Sequence, residues 1–290
     1  VPTTRGPEVS RSFDEILREV RIAAHRGARE IVLLGQTVNS YGLDLAPRRK
    51  FSELLDAVSA VDGIRRIRFT SPHPQEVRKD FFELMERNPA ICRHVHMPLQ
   101  SGSDRILKAM NRNYRMRRYL EIIDELRARV PDVAITTDLI VGFPGETEED
   151  FRQTLEVVRR VGFTSSFAFM FSPRPGTVAA GMEDDVPHEE KLRRLHELLA
   201  LQTEISAAYL TGWVGKRVEI LLDGPSTHNP SLMQGRLSQN ILVNLRDTSP
   251  ECVPGAFVEV TVTEAMRNTL RAEVGIRHGQ TPASGSKICC

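Results

Sequence analysis

No stretch of these 290 residues approaches the ~18 consecutive apolar residues of a membrane-spanning helix, and no basic, apolar and small-residue succession of a signal peptide stands at the front. The expectation is a cytoplasmic protein with no membrane partner, a mitochondrial compartment being the alternative. Cysteine is scarce. Cys92 and Cys252 stand alone and Cys289 and Cys290 are adjacent at the end, which excludes both a disulfide framework and a spaced metal site, so no residue of the chain is read as a metal ligand. Charge of one sign is not in excess either. With 39 Lys and Arg against 38 Asp and Glu, the net charge of +1 leaves no overall footprint of a non-specific nucleic-acid binder. Any nucleic-acid role must rest on local features.

What is present is alternation. From Ser12 to about Gly212, helical patterns separate short β-rich runs: Glu30–Gly35, Arg65–Thr70, His94–Leu99, Val133–Val141 and Ser165–Phe171. Repeated βα units predict an α/β fold around a parallel sheet. The first helical pattern places Phe13, Ile16, Leu17 and Val20 on one face, with Ser12 as its N-cap and Gly27 as its stop. Each strand runs into a polar or Gly/Pro-rich stretch: GQTVNSYGLD, TSPHPQE, QSGSD, GFPGETEED and SPRPGT. In a βα barrel such junctions share one rim, where active sites lie. A long helix over Pro187–Thr211 closes this part, and five short strands spaced by turn residues then predict a small antiparallel barrel. The final HGQTPASGSKICC reads as a disordered tail.

Taken singly, the loops leave two readings open. Gly142 and Gly145 in VGFPGETEED suit close backbone approach to a ligand, or simply a tight strand-to-helix turn. Glu146 and Thr147 read as cap residues. Gln100, Ser101 and Ser103 in HMPLQSGSD, and Gln36, Asn39 and Tyr41 in LLGQTVNSYG, offer hydrogen-bonding groups at strand ends, or start helices. His73, between two prolines, is a rim histidine or a loop element.

Together and in order, TRGPEVSR, EIVLLGQTVNSYG, RIRFTSPHP, HMPLQSGSDRIL, TDLIVGFPGETEEDF, FSPRPGT and DDVPHEEKLRRL resemble the radical S-adenosylmethionine methylthiotransferase family, nearest to its tRNA-acting MiaB-type members. The resemblance spans Val1 to about Gly275, and TSPHP and QSGSD point to tRNA over the related enzymes acting on a ribosomal protein. It implies a partial radical-SAM (β/α) barrel lacking its first strand (residues 1–213), a small all-β TRAM barrel that binds RNA (214–275) and the tail (276–290). It further implies S-adenosylmethionine and two 4Fe–4S clusters as cofactors. The C-x-x-x-C-x-x-C loop that precedes VPTTRG in the family is absent here, so the chain reads as N-terminally truncated and inactive alone. The implied reaction is methylthiolation of N6-isopentenyladenosine beside the anticodon. The alternatives are a threonylcarbamoyl-adenosine substrate, or a non-catalytic fragment binding S-adenosylmethionine and RNA. By resemblance Gln36, Gln100, Ser101, Asp138, Gly142 and Gly145 belong to the S-adenosylmethionine pocket, and Arg5 and Arg11 to the cluster-proximal rim. The implied partners are the tRNA anticodon loop, an electron donor such as flavodoxin or ferredoxin, and a sulfur donor, with a monomeric intact protein. From Val214 to Gly275, six Lys and Arg face seven Asp and Glu, which argues against strong phosphate binding by that segment alone.

Overall fold

The structure, a computed structural model, describes residues 9–70, 72–227, 229–246 and 252–274. Arg5, Cys289, Cys290 and the expected tail lie outside the described residues.

Five parallel strands form the first domain. β1 (Glu30–Leu33) pairs with β2 (Arg66–Phe69), Glu30 opposite Arg66. β3 (His94–His96), β4 (Ala134–Val141) and β5 (Ser165–Met170) pair in that order, with His96 opposite Thr136 and Asp138 opposite Phe167. The two stretches meet where the Ile67 N–H donates to the Ala90 carbonyl and the Cys92 N–H donates to the Ile67 carbonyl. β1 and β3 are shorter than expected. After Leu33 the chain turns into a 3-10 turn over Val38–Ser40, and beyond His96 it meets Pro98, which has no N–H for a ladder.

One face of the layer is apolar and helix-covered. The helices are α1 (Phe13–His25), α2 (Phe51–Ser59), α3 (Lys79–Arg87), α4 (Asp104–Ala109), α5 (Met116–Arg129), α6 (Glu148–Val161) and α7 (His188–Thr211). They bury Leu55, Phe82, Met85, Tyr119 and Phe151 against Ile67, Val95, Ile135 and Leu139 of the strands. Ser12 caps α1, its Oγ accepting the Glu15 N–H at 3.2 Å. Thr147 caps α6 in a capping box with Asp150. The opposite face carries side chains from alternate strand positions, most of them polar.

The second domain is a closed barrel of β6 (Arg217–Pro225), β7 (Met233–Arg236), β8 (Leu242–Leu245), β9 (Phe257–Ala265) and β10 (Leu270–Val274), in the order β10-β8-β7-β6-β9. The expected all-antiparallel pairing is corrected at one place, because β8 and β10 run parallel. A ring with an odd number of strands cannot alternate direction all the way round, so closure of five requires one parallel pair. Glycine at 235 permits a close approach of β7 to β6, since a Cβ there would lie 2.4 Å from the Leu221 carbonyl oxygen.

α7 joins the two cores. Leu198 sits in the first and Leu210 in the second, where Tyr209 and Trp213 also pack. The domains are further locked by arginines of β2. Arg66 donates to the carbonyls of Arg236 (2.7 Å) and Glu219 (2.9 Å), and Arg68 to those of Leu237 (2.7 Å) and Ser238 (3.0 Å). Arg65 lies 3.9 Å from the centre of the Phe257 ring. Gln239 reaches back to the Asp132 carboxylate at 2.8 Å.

Candidate functional site

The junctions after β1 to β4 do gather at one rim. The Asn39 amide donates to the His73 carbonyl (2.9 Å) and accepts the His73 N–H (2.8 Å), which joins the first two loops. Gln75 donates to the Asn113 carbonyl at 2.9 Å, and His73 and Tyr114 rings meet edge to face at 5.9 Å. Arg105 donates to the Gly145 carbonyl, which ties the third junction to the fourth.

At the centre of this rim Gln100 adopts φ +68, a left-handed conformation that costs a non-glycine residue about 1–3 kcal/mol and persists where the surroundings impose it. Here the imposing contacts are two main-chain bonds. The Gln100 N–H donates to the Asp138 carbonyl (2.8 Å) and its carbonyl accepts the Ile140 N–H (2.9 Å). Ser101, fully buried, turns inward instead, its Oγ accepting the Ser103 N–H at 3.2 Å and lying 3.5 Å from Thr154.

The glycine loop is braced by the chain itself. Gly142 (φ +69) donates its N–H to Glu146, and Gly145 (φ +80) donates to Asp185 at 2.6 Å. A Cβ on Gly142 would fall 2.3 Å from Lys191 Cγ, whereas one on Gly145 would meet nothing closer than Arg105 at 3.8 Å. Lys191 is itself held by Asp184 at 2.5 Å. Glu146 lies buried against Arg194 at 2.9 Å, and burial raises its carboxyl above the ordinary value despite the Gly142 N–H and Arg194. Asp150 goes the other way. Burial opposes its ionisation, but hydrogen bonds from Arg105, Ser103 and Thr147 outweigh it and hold the carboxylate well below its usual range.

The polar face of the layer supplies residues that strand-end reasoning missed. Thr136 Oγ1 lies 3.1 Å from His94 Nε2 and 3.0 Å from His96 Nδ1, and His96 Nε2 lies 3.4 Å from the Asp138 carboxylate. Thr136 Oγ1 thus bridges the two imidazole rings, and His96 carries the row on to Asp138. Burial, then the charge of Arg68, pushes His94 down to about 3, so it is neutral at physiological pH. Beside this row Phe167 and Phe169 of β5 are 60% and 55% exposed, and the Phe167 ring meets His96 at 6.3 Å. The signal was legible in HVHMPL, where two histidines flank an apolar residue at the strand period.

Of the remaining residues, Gln36 and Arg11 line a groove of about 830 Å³ between α1 and β1, with Val32, Leu34 and Glu19 among its other walls. The structure therefore joins Gln100 to Asp138 through the main chain, with Ser101 next in sequence and Gly142 and Gly145 on the adjoining loop, and sets Gln36 on the β1 junction and Arg11 along the groove. The convergent polar groups lie just past β3 and along β4, which is the better candidate for chemistry.

Residues 1–158 match the Radical SAM superfamily. The chain belongs to that superfamily. Residues 213–274 of this radical SAM protein match the TRAM domain, and they take in all five strands of the closed barrel. The chain is 48% identical over 295 residues to the tRNA-2-methylthio-N(6)-dimethylallyladenosine synthase of Nocardia farcinica, spanning 98% of this chain and 59% of that protein. It is 46% identical to the like-named proteins of Mycobacterium marinum (98% of this chain, 57% of that one) and Bifidobacterium longum (97% and 59%). The radical SAM chain thus spans somewhat over half the length of the curated relatives it matches. Among solved structures, coproporphyrinogen III oxidase from Escherichia coli, a radical SAM enzyme, shares the fold with a TM-score of 0.51 at 14% identity, over 78% of this chain and 60% of that one. Among the described residues no helix is long and apolar enough to cross a membrane.

The donor set for an iron–sulfur cluster is not found among the described residues of the radical SAM chain. They hold no group of three metal-ligating side chains. Cys92 is buried beside β2 with its thiol raised by that burial, and Cys252 lies in the other domain.

Proposed function

We propose that this chain forms the barrel and RNA-binding parts of a cytoplasmic tRNA methylthiotransferase that converts N6-isopentenyladenosine next to the anticodon to its 2-methylthio form. The observation that carries the reading is the identity of 46–48% to curated synthases of that name, running through both domains. S-adenosylmethionine, when bound, supplies the radical chemistry of this superfamily. Gln100 and Asp138, adjacent at the rim with Gln100 held in a strained conformation, fit its polar groups. Ser101 and the Gly142–Gly145 loop act behind them as braces, since their own polar groups are taken within the chain. Gln36 and Arg11 attend the groove beside β1. His96 fixes the Asp138 carboxylate, and the aromatic rings of Phe167 and Phe169 offer a dry surface to a base taken out of its stack.

With Cys92, Cys252, Cys289 and Cys290 as its only cysteines, the 290-residue chain by itself is inert in this reading. Anaerobic reconstitution with iron and sulfide checks this, and a stoichiometric four-iron chromophore with 5'-deoxyadenosine production would sink it. The electron donor, an acidic flavodoxin or a ferredoxin, and the sulfur donor belong to the same proposal, as does a monomeric state.

The reading is tested by nucleoside mass spectrometry of tRNA from a strain lacking the gene. Loss of 2-methylthio-N6-isopentenyladenosine with build-up of its N6-isopentenyl precursor is expected. Unchanged levels of both overturn the substrate assignment, and so does selective loss of a methylthiolated threonylcarbamoyl-adenosine.

A further inference from the structure

Between Arg105 and Arg118 the chain carries Arg105, Lys108, Arg112, Arg115, Arg117 and Arg118 and no acidic residue. In a protein of net charge +1 this is a marked local surplus, and the TRAM domain has none to match it. The fold puts the segment at the mouth. It follows directly on the strained Gln100 turn, its Tyr114 hydroxyl donates to the Leu99 carbonyl at 2.8 Å, and Gln75 of the second junction holds its Asn113 carbonyl. Asn111, at φ +56, turns the chain so that the Arg112 N–H returns to the Leu107 carbonyl at 2.8 Å, which fixes the loop's path.

Only part of this charge is used internally. Arg105 is committed to Asp150 and the Gly145 carbonyl. Arg115 has Asp104 at 3.9 Å, and Arg117 and Arg118 share Glu121 at 3.0 and 3.5 Å. These pairs are exposed, with Arg117 91% accessible, so they are weak and easily exchanged. Among the described residues no carboxylate pairs with Lys108 or Arg112. Five cations therefore face solvent against two carboxylates, on the rim beside the row that ends at Asp138.

We propose that Lys108, Arg112, Arg115, Arg117 and Arg118 are the surface that grips RNA phosphates flanking the nucleotide presented to the mouth. This rests on the tRNA reading above and adds where the polyanion lies. A flipped or splayed base leaves its neighbours' phosphates spread around the opening, and guanidinium groups on long exposed side chains match them without a base-specific pocket. The near-neutral TRAM domain then adds contacts and orientation, while the barrel rim supplies most of the salt-sensitive binding.

The test uses the 290-residue chain and a fluorescently labelled anticodon stem–loop RNA, titrated at several salt concentrations. The double variant Arg112→Ala with Arg117→Ala should bind on the order of tenfold more weakly, with a salt slope shallower by about 1.5. Arg159→Ala with Arg160→Ala, exposed near the far end of α6, should leave both unchanged. Equal affinity and slope in both double variants, with wild-type binding intact, overturns this surface and leaves the tRNA reading standing. Absence of salt-dependent RNA binding by the wild-type chain overturns both. If the rim variant keeps RNA but loses binding of an acidic flavodoxin, the patch serves a protein donor and the proposal is wrong. Unaltered far-UV circular dichroism and melting temperature establish that the variants fold.

Discussion

Arg68 of the parallel layer donates from Nη2 to the main-chain carbonyl of Leu237, 2.7 Å away in the TRAM barrel. Its Nη1 reaches the Ser238 carbonyl and its Nε reaches Glu30, so one buried guanidinium serves two domains. Removing it strands two carbonyls and a shielded carboxylate, which costs about 3 kcal/mol or more. Calorimetry should therefore show one cooperative transition for the wild type. Arg68→Met should lower the melting temperature and separate the domains into two transitions, and a single transition at the original temperature would show that the interface carries no coupling.

Gly142 and Gly145 separate packing from ligand approach. Gly142→Ala places a Cβ against Lys191 in a left-handed conformation, and should destabilise by about 2–3 kcal/mol whatever is bound. Gly145→Ala meets open space and should cost only about 1 kcal/mol from its φ. Urea unfolding gives both values. Comparable losses at the two positions would contradict the role assigned to Lys191.

Asp150 links the third and fourth junctions through Arg105 and Ser103 on one side and Thr147 on the other. Its carboxyl is lower in the folded than in the unfolded chain, so the stability it contributes is complete above about pH 4 and is lost as pH falls below that. Asp150→Asn should cost about 2 kcal/mol at neutral pH and flatten the acid limb of the stability curve. Glu146 has the opposite slope, because its folded value is raised above 4.5 and its contribution weakens as pH rises through that window.

His94 acts at higher pH. Its folded value of about 3 lies below the ordinary 6.5, so the unfolded chain alone binds the proton between those limits. The associated stability is full above pH 6.5 and declines as pH falls. His94→Gln should remove that decline between pH 6.5 and pH 4 in urea unfolding, while retaining a donor for Thr136. A wild-type profile already flat over this range would place His94 in contact with water.

Much of this protein was decided locally. Strand–helix alternation set five parallel strands in order, because a period of two against one of 3.6 is written in neighbouring residues. Ser12 and Thr147 announced their helices by cap chemistry within a few positions. Gln100 was legible as a residue just past a strand end, which a parallel sheet brings to the rim, whereas Asp138 lies midway along β4 and meets it only through the pairing of the two segments. Strand lengths were overread at β1 and β3, where runs of apolar residues continue past the point at which the backbone leaves the ladder. Other features needed the third dimension. The parallel β8–β10 pair follows from ring closure among five strands, not from any segment. The occupation of Gly142 by Lys191, and of Arg66 and Arg68 by carbonyls some 150 to 170 positions away, depends on contacts that no local pattern encodes. The His94–Thr136–His96–Asp138 row stands between the two cases. Each strand shows its alternation, but only the pairing of β3 with β4 sets the two histidines about one threonine and so gives the face its polarity.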